Sequence, residues 1–437
     1  MFFQKLKNYF QVTQPQVAIH ETLIALILLT LPFYVPAPRN IAWVIVGANA
    51  LGAVIFQKQY RNFFWKSKTI FFVVSFFLFW HFIGLIYTEN TTWGWFLIGL
   101  LVPFWAISLS FLVFPMSKET LKIYLKFFLT GVLAFVLLLQ ARAFYKAFLH
   151  IGEPNFQWKS YFFYHNFTAF RSEPTYLSIL ICLACFILMI DFLYEEKFLG
   201  LKKLPKIGFL LFLSITLLLI SSRMQIGILM LGGMFLLFEY LSKKYSLAKS
   251  IVIVLLFFGI FSAIAFIVPY TRERIEYILN PKERIDLDKQ ADHSLGRNWD
   301  GASLRFAKWQ CAKELVQRNW FWGVGTGDGQ DELQKIYEEY KFYFASQYNR
   351  YNAHNQFLDT WIALGVVGII SFLSLFFVPL IGAWQSKDYL LLCILVVFLL
   401  SAVSESYLQR NLGVVMLAIF YGLGVAWQKN RKTDAIK

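Results

Sequence analysis

Long apolar stretches, most of them close to twenty residues, dominate the chain and alternate with short polar connections. A helix of about 20 residues crosses a hydrocarbon core of about 30 Å, so stretches of this length are typical of transmembrane helices. About twelve such segments occur, and we therefore expect an all-α, polytopic helical membrane protein with one large extracytoplasmic loop. The predicted segments are residues 19–36, 40–57, 69–87, 93–114, 121–146, 174–194, 204–221, 224–241, 249–269, 354–382, 388–405 and 411–428.

The composition excludes a soluble globular domain. Hydrophobic residues make up 58% of the 437 positions and charged residues only 15%, which is far from the balance of a water-soluble protein. The 48 Phe and 14 Trp suit lipid-facing surfaces and interfacial belts. The four cysteines are scattered and predict neither a disulfide framework nor a metal cluster; they are Cys182, Cys185, Cys311 and Cys393.

Lysine and arginine are concentrated in alternate short loops, as expected for the cytoplasmic side of a membrane protein. The intervening short loops carry only Arg39, Arg223 and Arg410. This pattern predicts that both termini are cytoplasmic and that the two long loops, at about residues 147–173 and 270–353, are extracytoplasmic. The lysine-rich and arginine-rich loops are those of residues 58–68, 118–122, 197–206, 243–249 and 387, together with the tail from residue 429.

The same pattern accounts for the net charge of +15. Most of this charge faces anionic lipid headgroups, so we expect no nucleic-acid partner. We expect N-terminal membrane helices, about nine, in residues 1–269, a large extracytoplasmic loop layer in residues 270–353, about three further helices in residues 354–428 and a cytoplasmic tail in residues 429–437.

Arg223 interrupts an uncharged stretch from Ile207 to Phe238. As one helix this stretch would be about 48 Å long, well beyond the hydrocarbon core. Lysines flank both of its ends, so we predict a helical hairpin that turns at Ser221-Ser222-Arg223 on the extracytoplasmic side. The arginine there either snorkels to lipid phosphates or has a functional role.

The loop of residues 270–353 contains a predicted helix followed by a glycine-rich turn. The helix, residues 303–316, carries Arg305, Lys308 or Trp309, and Ala312 on one face. The turn, residues 323–329, has the pattern Gly-Val-Gly-Thr-Gly-Asp-Gly, whose backbone N–H groups are suited to an anion. No Gly-Lys-Ser/Thr follows, so the turn is not a nucleotide P-loop.

Further polar residues adjoin the predicted spans. Arg171 and Glu173 precede Pro174, which is a helix-start pattern in which the two charges either pair or contact substrate. Glu405 lies near the end of a predicted span. It is expected either to cap a helix or to orient a nearby histidine or arginine.

His354 and Asn355 open another apolar segment, and Gly365 and Gly368 follow within it. On a continuous helix the histidine and both glycines share one face. Small residues there predict close approach of another helix. A histidine at a membrane boundary is often only an interfacial polar group, but it also suits proton transfer near neutral pH.

These motifs together resemble those of the O-antigen ligase family. His354-Asn355, nine residues, Gly365, two residues and Gly368 are similar to the family signature, which begins with His followed by Asn, Ser or Gln. The segment Leu-Ile-Ser-Ser-Arg-Met around Arg223 resembles its Ser-Arg element. Arg305, a Trp four residues later and the glycine-rich turn resemble its large periplasmic loop.

The resemblance implies transfer of a glycan from undecaprenyl diphosphate to an acceptor hydroxyl, for an O-antigen ligase a sugar of the lipid A core, at the outer face of the bacterial inner membrane. It implies His354 as general base or acceptor-orienting group, and Arg223 and Arg305 as diphosphate-binding residues. Arg171, Glu405 and Asn355 are candidate substrate contacts.

No Asp-x-Asp pair and no His/Cys cluster with metal-ligand spacing accompanies these residues. We therefore expect neither a metal nor a cofactor. O-antigen polymerases and protein O-oligosaccharyltransferases share the family pattern and remain alternatives. A lipid or solute transporter is the alternative from another class of protein.

Overall fold

The structure is a computed structural model that describes residues 14–65, 68–168, 173–267, 303–347 and 349–434, together with residues 272 and 301. Every regular element in these ranges is helical. The α-helices are α1 (Pro15–Thr30), α2 (Pro36–Phe56), α3 (Lys58–Trp65), α4 (Lys68–Ile86), α5 (Thr91–Val113), α6 (Lys118–Leu149), α7 (Lys159–Phe162), α8 (Tyr164–Thr168), α9 (Pro174–Leu193), α10 (Lys203–Ile220), α11 (Arg223–Leu241), α12 (Leu247–Ile267), α13 (Ser303–Arg318), α14 (Gly329–Glu339), α15 (Tyr343–Ser346), α16 (Gln356–Gln385), α17 (Tyr389–Ser401) and α18 (Asn411–Asp434).

Within the described ranges, eleven helices are long and apolar enough to cross a membrane, and α17 is a shorter apolar helix. Together they overlap all of the predicted segments, so the chain is a polytopic helical membrane protein. The predicted segment 388–405 is too long, because α17 ends at Ser401. Its 13 residues span about 20 Å, and the polar residues that follow lie at the end of the bundle.

The helices form a bundle in which burial separates central from peripheral members. In α18, 94% of the spanning window is buried, whereas in α12 the share is only 11%. α18 packs against α5, and α9 packs against α10, α11 and α17. The exposed large apolar side chains of α4 and α12 therefore form a surface that suits lipid.

Connections between helices alternate between the two ends of the bundle. One end, here called the lysine end, holds the turns at residues 114–117, 194–202, 242–246 and 386–388. The opposite end, here called the loop end, holds the turns and loops at residues 87–90, 221–222, 303–355 and 402–410. Contacts at the loop end include the guanidinium of Arg39, which donates to Asn411 Oδ1 at 2.6 Å.

The predicted hairpin around Arg223 is confirmed. α10 ends at Ile220, Ser221 adopts a left-handed conformation with φ of 55°, and α11 begins at Arg223. Two residues into α11, the buried Gln225 donates from Nε2 to Ser401 Oγ at 3.1 Å. This bond ties the tip of the hairpin to the end of the short helix α17.

α16 is not a straight helix, because Gly365 interrupts it with φ of 64° and ψ of −159°. The bend separates a first arm, residues 356–364, from a second arm, residues 366–385. The rings of Phe357 and Phe372 lie 5.5 Å apart, although fifteen residues of straight helix would separate them by about 22 Å. The second arm alone has the length of about 30 Å that crosses a membrane.

The loop of residues 303–355 has a small hydrophobic core of its own. α13, α14 and α15 pack together through buried residues such as Leu315, Leu333 and Ala345. Ile362 of the first arm of α16 belongs to the same core. The first arm is therefore packed with the loop helices and leads from them to the membrane-crossing second arm.

Candidate active site at the loop end

His354 lies outside the helix that follows it. Its backbone is left-handed, with φ of 47°, and its N–H donates to Asn352 Oδ1 at 3.1 Å. Asn355 is the N-cap of α16, and its side-chain oxygen accepts hydrogen bonds from the N–H groups of Phe357 and Leu358. Asn355 thus satisfies free helix donors and fixes the turn that presents the histidine.

The expectation that His354, Gly365 and Gly368 share one helical face is therefore wrong. The histidine precedes the helix, and the helix bends at Gly365. A Cβ on Gly365 would stand 2.0 Å from the carbonyl oxygen of Phe321, and one on Gly368 would stand 2.2 Å from Leu364 Cβ of the same helix. Gly365 makes room for the loop and Gly368 makes room for the bend. The expected close approach of a second membrane helix at these glycines is not what the structure shows.

The glycine-rich turn of residues 323–329 packs on this bend. Val324 N–H and Gly325 N–H donate to the carbonyls of Ile362 and Ala363 at 2.8 and 3.0 Å. Phe321 in turn accepts from Val366 N–H at 3.1 Å. These bonds satisfy backbone groups that the bend removes from the helical pattern.

Other N–H groups of the turn have protein acceptors as well. Thr326 donates to the Gly84 carbonyl at 3.2 Å, and Gly327 donates to Thr88 Oγ1 at 3.2 Å. The predicted anion-binding role of this turn is therefore not supported by its geometry. Its glycines allow close approach to α4 and α16 instead.

Glu405 faces His354 from the irregular segment that follows α17. Its Oε2 lies 3.7 Å from His354 Nδ1, and only 9% of its side chain is exposed, compared with 28% for the histidine. Burial lowers the pKa of His354 below its usual value, the nearby Glu405 carboxylate opposes this, and the positive charges of Lys308 and Arg305 lower it further. The imidazole is therefore neutral near pH 7 and able to accept a proton.

Lys308 is a fourth ionisable group at this site, and sequence reasoning did not select it. The residue is only 2% exposed, and its ammonium lies 4.5 Å from the centre of the Tyr351 ring. Burial and the charge of Arg305 lower the pKa of Lys308 to about 7, while the carboxylates of Glu405 and Asp359 oppose the shift. Its position one turn after Arg305 on α13 is the signal that the sequence offered.

α13 brings its cations to the histidine by packing against the segment that precedes it. Trp309 Nε1 donates to the Ala353 carbonyl at 3.1 Å, and the Tyr351 ring lies 5.9 Å from that of His354. Arg305 and Lys308 are both close enough to influence the pKa of His354. The predicted Arg305 and His354 are thus brought together.

Arg223 and Arg305 approach each other at Gly301. Arg305 Nη1 donates to the Gly301 carbonyl at 3.5 Å. Arg223 Nη2 lies 3.7 Å from the point where a Cβ on Gly301 would stand. The hairpin tip and the loop helix therefore place two half-buried guanidinium groups beside one glycine.

The predicted Arg171 lies outside the described residues. Its neighbour Glu173 accepts a hydrogen bond from Arg410 Nη1 at 2.9 Å, which links the start of α9 to the start of α18. Within the described ranges, no three His, Cys, Asp or Glu side chains converge as a metal ion would need.

A polar cleft of about 540 Å³ opens beside His354 and Glu405. Its other walls come from the start of α5, the start of α14 and the segment before α16. These walls carry mainly amide, aromatic and paired charged side chains: Asn90, Trp93, Gln330, Asp331, Asn349, Arg350, Tyr351, Asn352 and Arg410.

Comparison with known proteins finds a family match for the part of the chain that contains most of the site. Residues 208–373 match a family model described as O-antigen ligase. This range includes Arg223, Arg305 and His354, whereas Glu405 lies beyond it. No curated protein matches the chain. The resemblance found in the motifs is thus confirmed: residues 208–373 of this multi-pass membrane protein match the O-antigen ligase family, and the match supports a function of the ligase or polymerase type.

Proposed function

We propose that this protein transfers a glycan from undecaprenyl diphosphate to an acceptor hydroxyl, with the lipid A core as acceptor, and is therefore an O-antigen ligase. The observation that carries the proposal is the convergence of Arg223 and Arg305 at Gly301 while Arg305 also acts on His354. Residues that could bind a diphosphate leaving group and a residue that could accept a proton thus lie together at one end of the bundle.

The two arginines suit the diphosphate. Guanidinium groups are planar, stay charged at any physiological pH and bind phosphate oxygens with two parallel hydrogen bonds. Negative charge grows on the diphosphate as its bond to the sugar breaks, and fixed cations stabilise that charge. Lys308, whose ammonium is buried one turn from Arg305, adds a donor on the same helix.

His354 suits the acceptor hydroxyl. Because its Nδ1 faces Glu405, the proton of the neutral imidazole belongs on Nδ1, which leaves Nε2 as the base. The acceptor oxygen attacks the anomeric carbon of the donor sugar and its proton passes to Nε2. The bond from that carbon to the diphosphate oxygen breaks with its electron pair on the diphosphate. Glu405 then stabilises the imidazolium.

We place the loop end outside the cytoplasm. The turns of the lysine end carry the cytoplasmic pattern of Lys and Arg, and alternate turns lie on opposite sides of a membrane. Both termini would then be cytoplasmic, and the site would face the periplasm at the inner membrane. Transporters usually hold their polar residues near the bilayer midplane, whereas these candidates lie together at one end, which supports a transferase over a transporter.

The test is a reaction with purified protein, undecaprenyl-diphosphate glycan and lipid A core. We expect His354→Ala to lower kcat by roughly 100-fold or more, and Arg223→Ala and Arg305→Ala to abolish most transfer. Arg318→Ala is the matched control, because Arg318 lies on α13 but is paired with Glu339 at the opposite end of that helix.

Unchanged transfer by the His354→Ala protein contradicts the base assignment. Chain growth on the lipid carrier, without product on the lipid A core, identifies a polymerase instead of a ligase. Transfer to a polypeptide would identify a protein O-oligosaccharyltransferase, and movement of the glycan without a new bond would identify a transporter.

A further inference from the structure

The cleft beside His354 differs in charge from the arginine cluster. Among its lining residues, the exposed Arg350 pairs with Asp331 at 2.8 Å, and Arg410 pairs with Glu173 at 2.9 Å. Neither Arg223 nor Arg305 lines it. The cleft is therefore close to electrically balanced, unlike the side of His354 on which Arg305 and Lys308 lie. A second diphosphate would find no uncompensated cation here.

The remaining lining groups are suited to hydroxyl groups. Four amide side chains line the cleft, and each amide offers both donors and acceptors, as a sugar hydroxyl requires. The volume of about 540 Å³ lies in the range of small-ligand sites. The four amides are Asn90, Gln330, Asn349 and Asn352.

These amides are held in place by the protein. Asn90 Nδ2 donates to Asp331 Oδ2 at 2.8 Å, and Asn352 Nδ2 donates to Gln409 Oε1 at 2.6 Å. Gln330 Nε2 donates to the Arg350 carbonyl at 2.7 Å. Each bond uses only part of the hydrogen-bonding capacity of its amide, so the side chains are oriented and still able to bind a ligand.

Trp93 forms an aromatic wall in the first turn of α5. Its ring is stacked on Phe96 with a centroid distance of 4.7 Å and an interplanar angle of 27°, and the residue is 40% exposed. Its backbone N–H is fixed by Asn90 Oδ1 at 3.1 Å. A flat, rigid and partly exposed aromatic ring can pack against the C–H face of a sugar ring.

We propose that this cleft binds the sugar rings of the acceptor and that Trp93 is their stacking platform. The inference rests on the proposed function and adds the location and the chemistry of the acceptor site. The diphosphate lies with Arg223 and Arg305, the acceptor approaches from the balanced cleft, and His354 stands between them. The acceptor sugars that fit are uncharged at the reacting end and rich in hydroxyl groups.

The test compares acceptor and donor kinetics in Trp93→Ala, Trp93→Phe and the control Trp95→Ala. Trp95 is also exposed on the first turns of α5 but does not line the cleft. We expect Trp93→Ala to raise the KM for the lipid A core roughly tenfold, with the KM for the donor unchanged. Trp93→Phe should restore most of the affinity, and Trp95→Ala should behave as the parent protein.

An unchanged acceptor KM in Trp93→Ala overturns the proposal. An increase in the donor KM alone also overturns it, because the cleft would then hold donor sugars. Asn349→Ala provides a second variant at an exposed amide of the cleft. We expect it to raise the KM for the acceptor as well, without loss of folded protein.

A binding measurement separates this inference from the catalytic assignment. Delipidated core oligosaccharide is titrated into His354→Ala protein with and without Trp93→Ala. Binding that depends on Trp93 supports the cleft even when the proposed reaction fails. If binding does not depend on Trp93, or if the oligosaccharide does not bind, the proposed acceptor site is wrong. The proposed reaction is not contradicted by either result.

Discussion

At the scale of single residues, the charged side chains around His354 shift the pKa of its imidazole. Glu405 lies at 3.7 Å from the imidazole, while Lys308 and Arg305 supply positive charge. An acid next to a histidine stabilises the imidazolium, and a cation next to it destabilises the imidazolium. The protonation of His354 therefore depends on the balance between one carboxylate and two cations.

Because of this balance, removal of the carboxylate and removal of a cation should shift the pH profile of transfer in opposite directions. With His354 as the proposed base, transfer requires the neutral imidazole, so we expect kcat/KM to rise as the pH passes above the pKa of the histidine. Glu405→Gln removes the group that raises this pKa, so the acid limb should move to lower pH. Lys308→Met removes a group that lowers the pKa, so the acid limb should move to higher pH.

The measurement is the pH dependence of kcat/KM in both variants. Glu314→Gln is the control, because Glu314 lies on the same helix α13 but pairs with Arg318. If the acid limbs of the two variants shift in the same direction, the assignment of His354 as the titrating base is contradicted.

At the scale of elements, the bend of α16 decides how the loop is joined to the membrane helices. Gly365 adopts φ of 64° and ψ of −159°, a region that is nearly restricted to glycine. The backbone of Phe321 fills the space where a Cβ would lie. The glycine therefore serves both the conformation of α16 and its contact with the glycine-rich turn.

Gly365→Ala should destabilise the protein by at least about 2 kcal/mol, from backbone strain together with the overlap with Phe321. Thermal unfolding in detergent measures this loss. Gly99→Ala in α5 is the matched control, since nothing lies within 4 Å of its added Cβ and alanine is the better helix former. Equal stability of the two variants would contradict the structural role of the bend.

At the scale of the whole molecule, the site and the lysine-rich turns lie at opposite ends of one bundle. The central helices α9 and α18 are almost entirely buried, and the outer helices present apolar side chains to lipid. In the proposed reaction, both substrates must reach the membrane face at the loop end. Sidedness is therefore the property on which the proposed reaction depends.

Cysteine labelling tests this sidedness. The four natural cysteines are all buried, so single introduced cysteines should dominate the signal. Gln310→Cys on α13 should react with an impermeant maleimide in intact spheroplasts, whereas Lys244→Cys at the lysine end should react only after the membrane is opened. Both positions are exposed, and the reverse pattern would invert the proposed topology.

The sequence was sufficient for features that depend on local pattern. Apolar length predicted the spans, and flanking lysines together with that length predicted the hairpin at Ser221–Ser222. The family motifs selected Arg223, Arg305 and His354, which the structure brings to one end of the bundle.

Other features depended on contacts between distant parts of the chain and could not be read from periodicity. The bend at Gly365 is stabilised by Phe321, more than forty residues earlier. A helical wheel assumes a straight axis, so it placed His354 and the glycines wrongly on one face. Lys308 differs from a surface lysine only through contacts with Tyr351 and the charge of Glu405, which come from distant parts of the chain.

The bend at Gly365 also sets an angular tolerance for catalysis. The first arm, residues 356–364, is about 14 Å long and has His354 and the cap at its far end, so a rotation of about 4° at the bend displaces the imidazole by about 1 Å. A displacement of that size can lower an enzymatic rate by about 100-fold. If His354 is the base, as proposed, the hydrogen bonds that Ile362, Ala363 and Val366 exchange with the loop fix its alignment, although the glycine-rich turn that makes these bonds lies at the far end of the first arm.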